Sequence, residues 1–182
     1  NVKGIEEGTS YDWWDALTKP GYITDHVLTV NGGTAKTSYY LSGGFTKQKG
    51  FLTNDNYKRN SVRINFSTDV SEWLTIGANT FSTVTDYSGI YPDMRTMKLS
   101  SPFVTPRDEN GEYIIYPTGA TNILNPFLNA AADNKDLNTR INGTFYGIVK
   151  IPKVPGLEYR LNMGNDFMAE NTYYGSRYGA NL

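Results

Sequence analysis

Cysteine is absent from the 182 residues, which excludes a disulfide framework and a thiolate metal site. An excess of charge of either sign is also missing: 17 basic residues against 18 acidic ones leave a net charge of -1, and no basic stripe calls for a nucleic acid. No run approaches about 18 apolar residues, so no helix is expected to span a membrane, and Asn1 begins no signal peptide. If the protein is exported, its targeting segment lies elsewhere. Hydrophobic residues are scarce, at 38% with a mean hydropathy of -0.48, so a large dry interior is not expected. What the chain has in quantity is tyrosine, 14 residues, and glycine, 18 residues, a composition that suits strands, wet surfaces and turns better than helices.

Short alternating runs recur along the chain. In Thr37–Thr46, Tyr39, Leu41, Gly43 and Phe45 share one face, and Tyr40, Ser42, Gly44 and Thr46 share the other. The sharpest run sets Val62, Ile64 and Phe66 against Arg63, Asn65 and Ser67. The alternation predicts strands over residues 22–31, 37–46, 61–70, 74–85, 137–151 and 157–167. Connections after the first, third and fifth runs are short, and those after the second and fourth are long. The last of these, residues 86–136, holds most of the prolines and a small hairpin at Arg107–Glu112.

Up-and-down strands put the two sets of connections at opposite ends of a sheet. Runs of about ten residues, tilted by roughly 40°, cover an apolar band on the order of 25 Å tall, the pattern of an outer-membrane barrel wall. On this reading Leu28, Val30, Leu41, Phe45, Val62, Ile64, Phe66, Leu74, Ile76, Ile141, Phe145, Val149, Leu161 and Met163 face lipid. The opposite faces, carrying Arg63, Arg140 and Arg160, line a wet lumen, and Trp73 and Tyr159 fall where an aromatic girdle lies. A soluble β-sheet domain that binds a ligand or carbohydrate on one face has the same period of two, and it remains the alternative.

The order of motifs is familiar. Asp12-Trp13…Asp15, then His26 to Tyr40 with its Asn31-Gly32-Gly33-Thr34 turn, then Gly50 and Tyr57-Lys58-Arg59, resembles the SusC/RagA family of TonB-dependent outer-membrane transporters. Asp108 to Tyr113, Asn125-Pro126-Phe127 and Arg140-Ile141-Asn142-Gly143 follow in the same order. The resemblance covers essentially the whole chain. It implies an all-β antiparallel barrel of about 22 strands, of which these residues supply about six and no plug. It also implies import of oligosaccharides or peptides under a SusD-like surface lipoprotein, with TonB acting through an N-terminal region that is absent here. The implied location is the bacterial outer membrane, with the long loops extracellular and no cofactor or nucleic acid involved.

Enzyme chemistry has little support. A catalytic triad would rest wholly on His26, the single histidine, and no Gly-x-Ser-x-Gly is present. Asp108 and Glu109 form a carboxylate pair, but beside Asn110-Gly111 they read as a solvated turn. Asn54-Asp55-Asn56 lacks the alternating acidic ligands and closing Glu of a calcium loop. No catalytic or metal residue is expected. The candidates for contact with ligand or partner are aromatic: Trp13 and Trp14 on a helical turn capped by Asp12 and stopped by Pro20-Gly21, and Tyr91, Tyr113 and Tyr116 in the long loop. One tryptophan is expected to pack and the other to stack on a sugar or partner.

Overall fold

Period-two alternation produces a single sheet in the computed structural model of the chain, which describes residues 2–176. The end of the Tyr/Gly-rich tail, residues 177–182, lies outside the described residues. The strands β1 (Tyr22–Gly33), β2 (Thr37–Lys49), β3 (Asn56–Ser71), β4 (Leu74–Asp86), β5 (Asp133–Lys150) and β6 (Glu158–Gly175) pair antiparallel in chain order. Helices are short: α1 (Val2–Glu6), α2 (Trp13–Leu17), α3 (Met94–Leu99) and α4 (Phe127–Ala130). No helix among the described residues is long and apolar enough to cross a membrane, which leaves strands unconstrained.

Register decides which side chains share a face. Leu41 pairs with Ile64 and Val30, Phe66 with Ala78, Ala78 with Phe145, and Phe145 with Met163. Carried across all the strands, these pairings place every residue of the expected lipid-facing set on one side of the sheet. The other side carries rows such as Asn31–Tyr40–Asn65–Asn79–Thr144 and Thr29–Ser42–Arg63–Phe81–Asn142–Asp166.

The apolar side has a definite height. Toward the long connections it ends at the row Thr24–Lys47–Lys58–Asp86, where Lys58 and Asp86 form an ion pair at 3.7 Å. Toward the short turns it ends at Leu74–Val149–Tyr159. From Val84 to Leu74 the chain advances roughly 33 Å, or about 25 Å in height at a tilt near 40°. β5 and β6, at 18 residues each, run on past that band at the long-connection end.

Strand ends differ from the alternation-based expectation: β2 runs to Lys49, β5 starts at Asp133 and β6, expected to end at residue 167, continues to Gly175. β3 begins at Asn56, not Ser61, because ladder hydrogen bonds continue after the apolar alternation stops. The connection between β2 and β3, expected to be long, is therefore reduced to residues 50–55. On the polar side Gly77 lies opposite Tyr146, whose ring occupies the space where a Cβ would stand.

Candidate functional site

The segments at the long-connection end fold together into a cap with its own small core. Trp13 and Leu17 lie one turn apart on α2, and both are buried against Met97 of α3, with Tyr11, Met94, Val104 and Phe127 packed around them. Asp12 caps α2 by accepting a hydrogen bond from the Asp15 N–H (3.0 Å). The short β2–β3 connection is tied to the chain after α2, since Lys19 N–H donates to the Phe51 carbonyl (2.7 Å) and Thr53 N–H to the Leu17 carbonyl (2.8 Å).

Two asparagines organise the long β4–β5 connection. Asn125, 2% exposed, donates from Nδ2 to the carbonyls of Pro106 (2.7 Å) and Ile114 (2.9 Å), while its Oδ1 accepts from Phe127 N–H (3.0 Å). Its amide thus has partners on both sides, as a buried polar group requires. Asn54 adopts the left-handed conformation (φ 68°) and donates to Ile90 O and Ala130 O, each at 3.3 Å. One side chain thereby ties the beginning and the end of the long connection to the β2–β3 turn. Gly89 (φ 108°) passes so close to the Asn54 carbonyl that a Cβ there would lie 2.6 Å from it.

A prediction isolates the Asn54 amide. Asn54→Gly keeps the backbone conformation but removes the two donors, and is expected to weaken cap closure by about 1–2 kcal/mol. Asn54→Ala adds the left-handed cost of roughly 1–2 kcal/mol. Tryptic nicking after Arg95 and Lys98 in the assembled barrel should therefore rise in the order wild type, Gly, Ala. Equal nicking of wild type and the Gly variant rejects the role given to the amide.

The cap leans over the polar side of the sheet. Tyr87 packs edge-on to Tyr57 (5.4 Å), Gly89 N–H donates to Asn134 Oδ1 (3.0 Å), and Asp136 N–H donates to Ser88 Oγ (3.0 Å). Tyr57, Asn134 and Asp136 all belong to the polar rows. Farther down that wall Arg140 holds Asp166 through Nε (3.2 Å) and Nη2 (2.6 Å), Arg63 lies over the Phe81 ring (5.0 Å), and Arg160 over Tyr146 (4.9 Å). Asp25 accepts from Thr46 Oγ1 (2.6 Å). These pairs are solvent-exposed, so they set the character of the wall more than its stability.

The aromatic candidates separate. Trp13 is 5% exposed and its Nε1 donates to the Ser101 carbonyl (2.9 Å), so the expectation that it contacts a ligand gives way to a core-packing role. Trp14, 54% exposed, lies beside Phe51 at 6.5 Å. Tyr113 is engaged within the cap, stacked on Phe127 (5.5 Å) with the Arg107 guanidinium 3.7 Å from its ring centre. Tyr91 and Tyr116 are exposed, and Tyr91 and Tyr113 border different cavities, so the tyrosines do not make one platform. Burial pushes the Tyr11 phenol up, with Tyr113 adding to the effect and Arg107 opposing it, which suits its place at the rim of the core. Asp108 accepts from the Asn110 and Glu112 N–H groups (2.9 Å each), a turn-capping role. The sequence did not reveal Leu52, Met97, Leu128 or the bridging part of Asn54, because each lies in a turn or a helix too short to show a period.

No family model matches the chain. It is 27% identical over 184 residues to TonB-dependent receptor P3 of Formosa agariphila, covering 94% of this chain and 18% of the relative. It is also 30% identical over 56 residues to TonB-dependent receptor SusC of Bacteroides thetaiotaomicron, covering 31% of this chain and 6% of that protein. The solved structure of the RagAB peptide transporter superposes with a TM-score of 0.69 at 27% identity, covering 92% of this chain and 20% of the solved one. The chain thus spans under a fifth of the curated relatives it matches. In sequence and in strand order the chain is thus similar to a stretch of the SusC/RagA-like TonB-dependent receptors, and its six antiparallel strands superpose on part of such a barrel.

Proposed function

We propose that these residues form part of the wall and mouth of an outer-membrane nutrient importer. The observation that carries this reading is the apolar side of the sheet, which on β4 runs from Leu74 to Val84, a height of about 25 Å at a tilt near 40°, and stops at the Lys47–Lys58–Asp86 row. That height matches the roughly 25 Å band of outer-membrane barrels. The side containing Val62, Ile64 and Phe66 meets lipid, and the side with Arg63, Asn65, Arg140 and Arg160 lines a hydrated lumen. In the whole protein the strands join others into a barrel of about 22, closed by a plug and driven by TonB through residues that are not in this chain. The cap faces the cell exterior, where a SusD-like lipoprotein and the oligosaccharide or peptide substrate meet Trp14, Tyr91 and Tyr116. The names of the relatives, SusC and the RagAB peptide transporter, support the importer class and leave the substrate open.

The test is deletion of Ser88 to Asn134 in the parent receptor. Heat-modifiable migration first establishes that the barrel has assembled; lipoprotein association and substrate uptake are then expected to be lost. If both persist unchanged, the cap has no role at the mouth. The alternative, a soluble ligand-binding sheet, is separated by partitioning, because the wall of a barrel requires detergent and a soluble domain does not.

A further inference from the structure

We propose that the cavity beneath the start of the cap is a subsite for an uncharged sugar ring. The inference rests on the importer reading and narrows it to one substrate class at one place. The cavity has a volume of about 530 Å³ and is lined by Tyr87, Tyr91, Asp93, Asn129, Asn134 and Asp136 among others. This size falls within the roughly 300–1,000 Å³ of small-ligand sites.

Its walls have a fixed frame and free chemistry. Tyr87 is held by its edge contact with Tyr57 (5.4 Å), and its N–H donates to the Asp136 carbonyl (2.8 Å), so the backbone fixes both lining residues side by side. Asn134 is already committed, accepting from Gly89 N–H (3.0 Å) and donating to the Tyr173 carbonyl (3.4 Å). The Tyr87 and Tyr91 hydroxyls, the Asn129 amide and the Asp136 carboxylate make no hydrogen bond to another group among the described residues.

The ligand class follows from what is present. A pyranose ring has an apolar C–H face, which suits a phenol ring, and a rim of hydroxyls, which suits carboxylate and amide partners. No Lys or Arg lines the cavity, while Asp93 and Asp136 do, so sulfated, phosphorylated or uronate sugars meet repulsion with no cation to offset it. An ammonium group would satisfy the carboxylates but fill little of the volume and leave the Asn129 amide unused. A ring bearing several hydroxyls uses all of these groups.

The experiment uses the full-length parent receptor in detergent. It is titrated with neutral gluco-, manno- and galacto-hexasaccharides, with their sulfated forms, and with a lysine-rich peptide. At least one neutral hexasaccharide is expected to bind. Tyr91→Ala should weaken that binding about tenfold or more, and Tyr91→Phe, which keeps the ring, should stay within about threefold. Asp136→Asn should narrow the gap between neutral and sulfated forms. The subsite is overturned if no neutral hexasaccharide binds, if Tyr91→Ala leaves binding unchanged, or if Tyr91→Ala weakens only the peptide. Cellular uptake separates this from the broader reading. A parent that imports substrate while Tyr91→Ala changes no binding loses the subsite and keeps its importer role; a parent that imports no glycan or peptide loses both.

Discussion

Ile64→Arg is expected to destabilise the assembled receptor by roughly 2–4 kcal/mol, whereas Asn65→Arg, one residue along the same strand, is mild. Both lie in β3, and the register puts them on opposite sides: Ile64 opposite Leu41 and Thr80, Asn65 opposite Tyr40 and Asn79. Ile64 falls near the middle of the apolar rows, where a guanidinium is farthest from either aqueous boundary and least able to snorkel. Asn65 belongs to a row of amides and hydroxyls that already tolerates Arg63 as a chain neighbour. Unfolding from lipid vesicles in denaturant, read by loss of the heat-modifiable form, measures both costs. Equal costs would reject the assignment of faces.

Trp13→Ala is the second large effect, expected to cost about 3–5 kcal/mol of cap stability. The adjacent Trp14→Ala should fall within about 0.5 kcal/mol, as exposed positions do. The difference comes from one helical step: Trp13 is buried against Met97 and Phe127 and donates to Ser101, while Trp14 points outward beside Phe51. Because the cap core is separate from the sheet, the loss should be local. Amide exchange at Thr53, bonded to the Leu17 carbonyl, and at Tyr11, bonded to the Pro102 carbonyl, should accelerate in Trp13→Ala with barrel migration unchanged. Unaltered exchange at both amides would mean that Trp13 does not hold the cap together.

The sheet was legible in the sequence because its two sides differ in polarity and each residue of a strand points to one of them. Val62-Arg63-Ile64-Asn65-Phe66 shows this residue by residue. Where both sides are wet the signal fades: Asn56 to Asn60 is polar throughout, so the start of β3 and the brevity of the β2–β3 connection could not be read. The cap was legible only at α2, where Trp13 and Leu17 fall one turn apart beside an Asp cap. The other buried apolar residues, Leu52, Met97 and Leu128, are single side chains in a turn or in helices of four to six residues, too short for a local period to announce their burial. The same limit concealed the cavity at Tyr87 and Asp136, which face each other across the whole length of the long connection.

The position of Asn54 makes cap closure a checksum on strand alignment. Its amide reaches the Ile90 carbonyl, just beyond β4, and the Ala130 carbonyl, just before β5, from the turn that joins β2 to β3. A slip of one residue in any of the intervening ladders displaces a strand by about 3.3 Å and exchanges its faces, more than two hydrogen bonds of that length can follow. A misaligned wall would then pull apart the segments that bury Trp13, Leu17 and Met97. Asn54→Gly, which lacks that reach, should loosen the cap while leaving the strand ladders in register.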